Sequence, residues 1–358
     1  MLKARNRPAK RRTKPAGGLQ HRRPTVVEVA QRAGVSVGTV SNVLNGANAV
    51  SEARRLRVEK AIVELGYSQN LLAQGLRRRR STVVGLCVPH TTNAYFSAMM
   101  TAFEELASDR GFELMQVLSG QDPKREYKRV EALLRYKIGG LLLVPTRAPG
   151  ATLDMLARSG TPTVIVDRPA HDDRFDEVSF DNRRAMAEAT RWMIAMGHRR
   201  FLFMVRERAL VVTKQRVIGL TAAARESGEK VTTEVVECPS DEVMVTASLA
   251  SRFRRPNPPT AVIVSNSTFA ALTLRAFRSL KLDYPRSVSL MAFDAPEWGD
   301  LVTPRLSVVR QPTLAIARKA WELLIARMTG ERTRIQREEF LAEVVIRDSV
   351  VPLSDSKR

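Results

Sequence analysis

The sequence is poor in the residues that build disulfide scaffolds, metal centres and membrane spans. Its 358 residues include two cysteines and four histidines, and neither set clusters. Isolated cysteines in apolar stretches exclude a disulfide scaffold and fit a reducing compartment, while scattered histidines argue against a His-rich metal centre. No apolar run approaches the ~18 residues that span a bilayer, and the basic N-terminus lacks the apolar segment of a secretory signal. We therefore expect a cytoplasmic chain without a metal, a cofactor or a membrane partner.

Acidic residues are scarce in the first part of the chain. The net charge is +21, and residues 1–80 contain 18 Lys and Arg against 4 Asp and Glu. Such a local excess favours a polyanionic partner, because binding releases counterions, although it could also serve only solubility. Residues 1–23 hold nine basic residues and no acid. This composition predicts a disordered basic arm that adds phosphate contacts, unless a mistaken start codon has extended the chain.

Three short amphipathic helices are predicted after this arm. Thr25 and Glu28 form a capping box that begins the first helix, and Gly34 ends it. The second helix spans residues 37–44 and the third spans residues 51–65, both with apolar residues at helical spacing. Two short helices joined by a tight turn and supported by a third match the helix-turn-helix plan, in which the second helix enters the major groove. A generic three-helix bundle has the same periodicity, but the basic excess favours DNA.

From Thr82 onward, apolar runs alternate with helical periodicity. The predicted strands are 83–88, 112–118, 141–144, 163–166, 201–205, 231–236, 261–264 and 288–293. The predicted helices lie near 95–110, 123–137, 150–158, 182–196, 213–226, 241–253 and 267–280. Two successive β-α-β series of this kind predict an α/β body of two lobes, each with a doubly wound parallel sheet, and a cleft between them.

Several spaced motifs carry a family resemblance. The stretch TVVEVAQRAGVSVGTVSNVLNG at residues 25–46 resembles the DNA-binding signature of the lactose-repressor (LacI/GalR) family of bacterial transcriptional regulators, as does the following VS at 50–51, LGY at 65–67 and NLLAQGL at 70–76. The match extends, less densely, over residues 24–350. It implies a three-helix helix-turn-helix head and a two-lobed, periplasmic-binding-protein-like body whose strands cross between the lobes.

The resemblance also implies domain boundaries. They are a disordered basic arm at 1–23, a helix-turn-helix DNA-binding domain at 24–69, a hinge helix and linker at 70–81, an effector-binding and dimerisation domain at 82–350, and a tail at 351–358. Lobe 1 would then comprise about 82–181 and 313–340, and lobe 2 about 182–309 and 341–350.

In the second helix, the resemblance assigns base reading to Val37, Gly38 and Asn42 and phosphate contacts to Thr39 and Ser41. Asn can pair with adenine through two hydrogen bonds, and Val can contact a thymine methyl group. Gly38 has no side chain, so we expect weak discrimination at the base that it faces.

The hinge helix supplies the remaining expected DNA contacts. Leu76 matches the position that wedges between base pairs in the minor groove, Ala73 packs beside it, and Arg77 begins a run of four arginines. Gln69 stands where the family often has Pro, and Gly75 weakens the helix by up to ~1 kcal/mol. We therefore expect the hinge to be disordered until DNA binds; a solvated linker is the alternative interpretation.

Ligands of open α/β sheets bind beyond the carboxyl ends of the strands. The expected effector-binding residues follow such ends or match the family's effector segments: Tyr95, Phe96, Thr146, Asp167, Arg168, Arg216, Asn266, Asp294 and Trp298. Carboxylates and amides accept from hydroxyls, arginine donates, and aromatic faces cover apolar sugar edges. A sugar, a sugar acid or a sugar phosphate therefore fits.

Three departures from the family pattern bear on the effector. Ser267 and Ala295 stand where the family usually has acids, and residues 206–212 replace its usual Gly-Pro loop. These changes favour an effector that is more anionic or has fewer hydroxyls, or a protein that has lost ligand control.

Two other classes of protein share the body plan. A nucleotide-binding enzyme would need a G-x-G-x-x-G, a phosphate loop or a nucleophile motif, and none is present; the adjacent acids Asp172 and Asp173 are typical of a solvated loop. A transport-type solute-binding protein would need an export signal and no helix-turn-helix.

We expect a non-catalytic, cytoplasmic, nucleoid-associated homodimer on palindromic operator DNA. It would act as a repressor under allosteric control by a small effector. The effector could be an inducer or a co-repressor. The C-terminal residues lack apolar heptads, which favours a dimer over a tetramer.

Replacing Leu76 with alanine tests the minor-groove wedge. We expect Leu76→Ala to weaken binding to a palindromic operator, because the inserted side chain is lost, and to leave salt-sensitive binding to random duplex nearly unchanged. Gel shifts of both duplexes over a salt series measure the two effects. An equal loss on both duplexes would contradict the wedge.

Overall fold

The computed structural model describes residues 24–44, 50–67, 81–331 and 334–353. The chain divides into two compact units, Met1–Gln74 and Gly75–Arg358. The predictions for the arm at 1–23 and for Ala73, Leu76 and Arg77 of the hinge lie outside the described residues.

The first unit contains three helices. They are α1 (Val26–Ala33), α2 (Val37–Leu44) and α3 (Glu52–Leu65). The predicted capping box is present, since the Thr25 backbone amide donates to Glu28 Oε2 over 2.6 Å and Thr25 Oγ1 accepts from the Glu28 amide. Gly34 ends α1 in the left-handed conformation, with φ of 64°. The turn from α1 to α2 is therefore tight, as the sequence predicts.

The core of this unit forms where the apolar stripes of the three helices meet. Val29, Val40 and Val58 are fully buried, one from each helix. Ser36 Oγ accepts from the Thr39 amide over 3.1 Å and so caps α2. One stripe of each helix is thus used for packing, which leaves the opposite face of α2 exposed.

The second unit is built from twelve strands and eight helices within the described residues. The strands are β1 (Val83–Val88), β2 (Glu113–Leu118), β3 (Gly140–Leu143), β4 (Thr163–Val166), β5 (Asp176–Phe180), β6 (Arg200–Val205), β7 (Thr232–Glu237), β8 (Ala261–Val264), β9 (Ser289–Phe293), β10 (Ser307–Arg310), β11 (Arg337–Phe340) and β12 (Glu343–Val345). The helices are α4 (Ala94–Ser108), α5 (Pro123–Arg135), α6 (Gly150–Ser159), α7 (Asn182–Ala195), α8 (Val211–Glu226), α9 (Glu242–Phe253), α10 (Ser267–Ser279) and α11 (Thr313–Thr329), and a 3₁₀ turn spans Glu297–Asp300.

Two six-stranded sheets define two lobes. Lobe 1 has the order β11-β5-β4-β3-β1-β2, and its pairs are all parallel. Lobe 2 has the order β12-β10-β9-β8-β6-β7, in which only β12 runs antiparallel, against β10. All eight predicted strands are present, three with the predicted bounds and five with bounds shifted by one residue.

Each sheet is covered by helices on both faces, because its strands bury side chains on both sides. In β1, Val84, Leu86 and Val88 belong to one apolar cluster and Val83 and Cys87 belong to another. The first cluster continues into lobe 2, where it includes Phe203 and Phe293 among others. The two lobes therefore share one continuous layer of core.

The chain crosses between the lobes three times within the described residues. The crossings lie between β5 and α7, between β10 and α11, and between β11 and β12. Helix α11 packs on α4 and on strands of lobe 1, and β11 pairs with β5. Residues 313–331 and 334–340 thus fold with lobe 1.

The C-terminal end differs from the sequence-based boundary. Residues 351–353, assigned to a tail, pack on lobe 2: Leu353 is buried, its amide donates to the Met196 carbonyl over 2.8 Å, and the Val351 amide donates to Ser289 Oγ over 3.1 Å. The burial of Leu353 and these two hydrogen bonds hold the segment on lobe 2. Across the part of the chain that the structure describes, no helix has the length and apolarity needed to cross a bilayer.

Helices α7 and α8 pack closely at Gly219. A Cβ at this position would lie 2.2 Å from the Arg183 carbonyl oxygen and 3.1 Å from the Ala187 nitrogen. We expect Gly219→Ala to lower the free energy of unfolding by about 1–3 kcal/mol, because the helices must separate. Urea unfolding measures this loss. Gly150→Ala, which meets nothing within 4 Å, is the matched control, and an equal effect of both substitutions would contradict the close packing.

Candidate functional site

A cleft with a cavity of about 70 Å³ lies where the carboxyl ends of the two sheets face each other. Seven of the nine side chains expected from the sequence line it: Tyr95, Phe96, Asp167, Arg168, Arg216, Asn266 and Asp294. They come from both lobes, so a ligand here would contact both.

Thr146 and Trp298 do not line this cleft. The Thr146 amide donates to Glu126 Oε2 over 2.6 Å, so the residue holds the loop after β3 against α5. Trp298 lies in the 3₁₀ turn and packs against the apolar cluster of lobe 2. Both follow strand ends, but Thr146 is held through its backbone amide and Trp298 through apolar packing.

Several cleft residues were absent from the sequence-based set. They include His90, Asn93, Gln121, Arg206, Glu207, Ser265 and Gln311. Each follows a strand within a few residues, after β1, β2, β6, β8 or β10. Their position after a strand could therefore have predicted them. Polar residues at strand ends are common, however, and residue type alone does not separate a residue that lines the cleft from one that caps a helix.

Asp294 lies at the centre of a network that joins the lobes. Its Oδ2 accepts from the Asn93 side-chain amide of lobe 1 over 3.0 Å and from the Ser267 backbone amide over 3.1 Å, and its Oδ1 accepts from the Gln311 amide. Burial raises the pKa of Asp294, and the Ser267 amide and Arg216 oppose this rise. Asp294 therefore positions both lobes and the segment that follows β10.

Asp167 occupies the equivalent place in lobe 1. Both aspartates directly follow a strand and adopt the left-handed conformation, with φ of 70° and 73°, which Asp tolerates better than most residues. Asp167 Oδ1 accepts from the Tyr95 hydroxyl over 2.9 Å, and its Oδ2 lies 3.6 Å from Arg168 Nε. Burial raises the pKa of Asp167, against the influence of Arg168.

Arg216 projects from α8 into the floor of the cleft. Its Nε donates to Asn182 Oδ1 over 2.7 Å and its Nη1 donates to the Ser265 carbonyl over 2.9 Å. The guanidinium carbon lies 3.7 Å from the centre of the Phe293 ring, a cation–π contact. Burial lowers the pKa of Arg216 to about 10, so the side chain remains charged at neutral pH.

Two further features shape the cleft from its rim. Arg147 of lobe 1 and Glu207 of lobe 2 form an ion pair of 2.8 Å across the gap. Burial, together with Arg206 and Arg168, lowers the pKa of His90 to about 4, so this imidazole is neutral at physiological pH. The described residues contain no group of three or more His, Cys, Asp or Glu arranged to hold a metal ion.

In the first unit, the expected DNA-contacting residues lie on α2. Val37, Gly38 and Asn42 are exposed, and Thr39 and Ser41 are half-buried. An apolar side chain such as Val37, 37% exposed, adds nothing to the core of this unit. The arrangement offers one face of a short helix to a partner.

Comparison with known proteins identifies both units. Residues 25–70 match the family described as bacterial regulatory proteins, lacI family, and residues 190–350 match the periplasmic binding protein-like domain. The transcriptional regulator GalR of Escherichia coli is 30% identical over 305 residues, which are 84% of this chain and 88% of GalR. The chain belongs to the LacI/GalR family. It is therefore a DNA-binding transcriptional regulator with an effector-binding body.

Other similar proteins agree with this assignment. The ribose operon repressor of Escherichia coli is 28% identical over 87% of this chain and 96% of its own length. Among solved structures, a complex of the transcriptional regulator CelR with cellobiose has a TM-score of 0.67 at 27% identity, covering 91% of this chain and 100% of CelR. The lac repressor dimer bound to operator has a TM-score of 0.81 at 20% identity, covering 92% of this chain and 100% of its own, and shows the shared fold.

The exposed face of α2 in this LacI/GalR regulator yields a prediction for Asn42. We expect Asn42→Ala to relax the preference for one base pair in each half-site, at a cost of about 1–3 kcal/mol, because a bidentate contact to a base is lost. Binding to a set of operators with single substitutions measures the change. Thr39→Ala, at an expected phosphate contact, should instead weaken all sequences alike. A uniform loss with Asn42→Ala would reassign that residue to the phosphates.

The buried guanidinium on α8 yields a second prediction. We expect Arg216→Ala to abolish the thermal stabilisation that a cleft ligand gives, because the floor of the cleft loses its cation and the partner of Asn182. Thermal shifts with a panel of sugars, sugar acids and sugar phosphates measure this loss, and circular dichroism verifies folding. The exposed Arg225→Ala on the same helix is the control. An unchanged response in Arg216→Ala would remove the residue from the site.

Proposed function

We propose that this regulator represses genes of carbohydrate or sugar-acid metabolism and that a small molecule in the interlobe cleft controls it. The observation that carries the proposal is the composition of the cleft. Buried aspartates, arginines and aromatic side chains from both lobes converge on one volume, which suits a polyhydroxylated ligand. The CelR–cellobiose complex supports a sugar or a related effector.

The proposed DNA contacts are divided between α2 and the hinge. Val37, Gly38 and Asn42 read bases, and Thr39 and Ser41 contact phosphates. Ala73, Leu76 and Arg77 complete the set in the minor groove and on the backbone. A homodimer carries two such sets, so its operator is palindromic.

The proposed effector contacts are the seven expected residues that line the cleft. A ligand that bridges them favours one relative orientation of the lobes, and it shifts the population toward that orientation by its differential affinity. We propose the same division of labour as the sequence predicts: a head at 24–69, a hinge at 70–81 and an effector-binding, dimerising body from 82 onward.

We also propose where the protein acts and that it has no catalytic activity. The protein acts in the cytoplasm, at the nucleoid, where its operator lies. The side chains of the cleft hold a ligand and transform nothing; the similar proteins are transcriptional regulators.

Binding to the gene's own upstream DNA tests the proposed function. We expect a palindromic segment to bind roughly 10³-fold or more tightly than random duplex of equal length at physiological salt, and a ligand found by thermal shift to change that affinity. Fluorescence anisotropy measures both. Arg216→Ala is the matched control, which should bind the operator without responding to ligand. Equal affinity for both duplexes, with and without ligands, would refute the proposal.

A further inference from the structure

The acidic groups of the cleft are already hydrogen-bonded or ion-paired within the protein. The two Asp294 oxygens accept from Asn93, Ser267 and Gln311, and Glu207 is paired with Arg147. Asp167 accepts from Tyr95 and lies beside Arg168. The carboxylates that would otherwise receive a ligand's hydroxyl groups are therefore largely occupied.

Two arginines of the cleft, Arg168 and Arg206, have fewer acceptors within the described residues than they have N–H donors. Arg168 is only 5% exposed, and its Nη1 donates to Gln121 Oε1 over 2.8 Å and to the Pro145 carbonyl over 3.0 Å. Its Nε has no hydrogen-bond partner among the described residues, and the oxygen of Asp167 nearest to it is 3.6 Å away. A buried N–H donor without an acceptor is costly, so this edge of Arg168 favours a ligand that supplies one.

Arg206 faces the same region from the other lobe. It is exposed at the mouth of the cleft, lines it together with His90, and forms no ion pair with any residue in the described ranges. Arg168 follows β4 of lobe 1 and Arg206 follows β6 of lobe 2. His90 lines the same cleft as both arginines, each of them disfavours its protonated form, and its Nδ1 is also buried without a hydrogen-bond partner among the described residues.

We propose that the effector carries an anionic group, a carboxylate or a phosphate, and that this group binds between Arg168 of lobe 1 and Arg206 of lobe 2, beside His90. This inference rests on the proposed function of the cleft and specifies the ligand class. Arginine suits the role because its guanidinium donates to planar or tetrahedral oxyanions through several N–H groups. Two cations on opposite lobes repel each other in the empty cleft, and an anion between them draws the lobes together. Ligand charge is thereby coupled to lobe orientation.

Matched pairs of ligands test the charge requirement. The probes are D-gluconate and D-glucose 6-phosphate against D-glucose, D-galacturonate against D-galactose, and D-ribose 5-phosphate against D-ribose, all at constant ionic strength. We expect at least one acid or phosphate to raise the Tm of the full-length protein while its neutral parent does not. Which anions act then distinguishes a carboxylate from a phosphate effector.

Variants locate the anion. Arg206→Gln removes an exposed side chain and should leave folding intact while weakening the active anion about tenfold or more, as expected for one charge-assisted contact. Arg254→Gln, exposed in lobe 2 and outside the residues that line the cleft, makes the same charge change and should have no effect. If the Arg168→Gln variant folds, it should weaken binding of the active anion as Arg206→Gln does.

The histidine resonances give a readout that does not depend on affinity. A nearby anion favours imidazolium, so the bound ligand should raise the pKa of His90 above its value of about 4. NMR titration of the four histidines, with His90→Asn for assignment, follows this change. The other three serve as internal references.

The outcomes separate this inference from the proposed function. The anionic subsite is overturned if the neutral parents raise the Tm as much as the anions do, or if no acid or phosphate raises it. An unchanged anion affinity in Arg206→Gln also overturns it. If a neutral sugar alters operator affinity, the proposed function stands and the subsite falls. If an anion binds through Arg206 without altering operator affinity, the subsite stands and effector control falls.

Discussion

The cleft depends on a constraint that parallel sheets impose. Parallel strands place all their carboxyl ends, and the polar residues that follow them, along one edge. In this chain two such edges face each other, because the backbone crosses between the lobes three times within the described residues. Asp167 and Asp294 occupy equivalent positions on the two edges and share a left-handed backbone. The topology of the two sheets thus determines where the site lies, and the individual side chains determine its chemistry.

Hydrogen bonding within the protein decides what those side chains can offer. Asp294 accepts from donors of both lobes and of the segment after β10, so it stabilises the lobe arrangement as well as lining the cleft. Arg216 is held by Asn182, Ser265 and Phe293 and forms the floor. Residue type alone does not separate a side chain that positions the lobes from one that recognises a ligand, whereas the hydrogen-bond partners of that side chain do.

The sequence predicts eight of the described strands and misses β5, β10, β11 and β12, which lie together at one side of each sheet. The predicted strands carry apolar runs, but β5 begins with Asp176 and Glu177, and β11 reads REEF. Asp176 is buried because it pairs with Arg327 over 2.7 Å, a partner 151 residues away that no local pattern reveals. The same limit explains Thr146 and Trp298, which follow strands as expected but meet distant partners. Family resemblance supplied the lobe crossings, and pattern alone would not have done so.

The loops after the strands have a further consequence for design. They carry many of the side chains that line the cleft, whereas the strands of the two sheets beneath them are filled by apolar residues that do not line it. Exchange of the segments at 90–93 and 206–209 for those of a relative would replace much of the rim without changing a residue of the two apolar cores. A biosensor that reports a different metabolite through an unchanged promoter could therefore be assembled by grafting these two short segments.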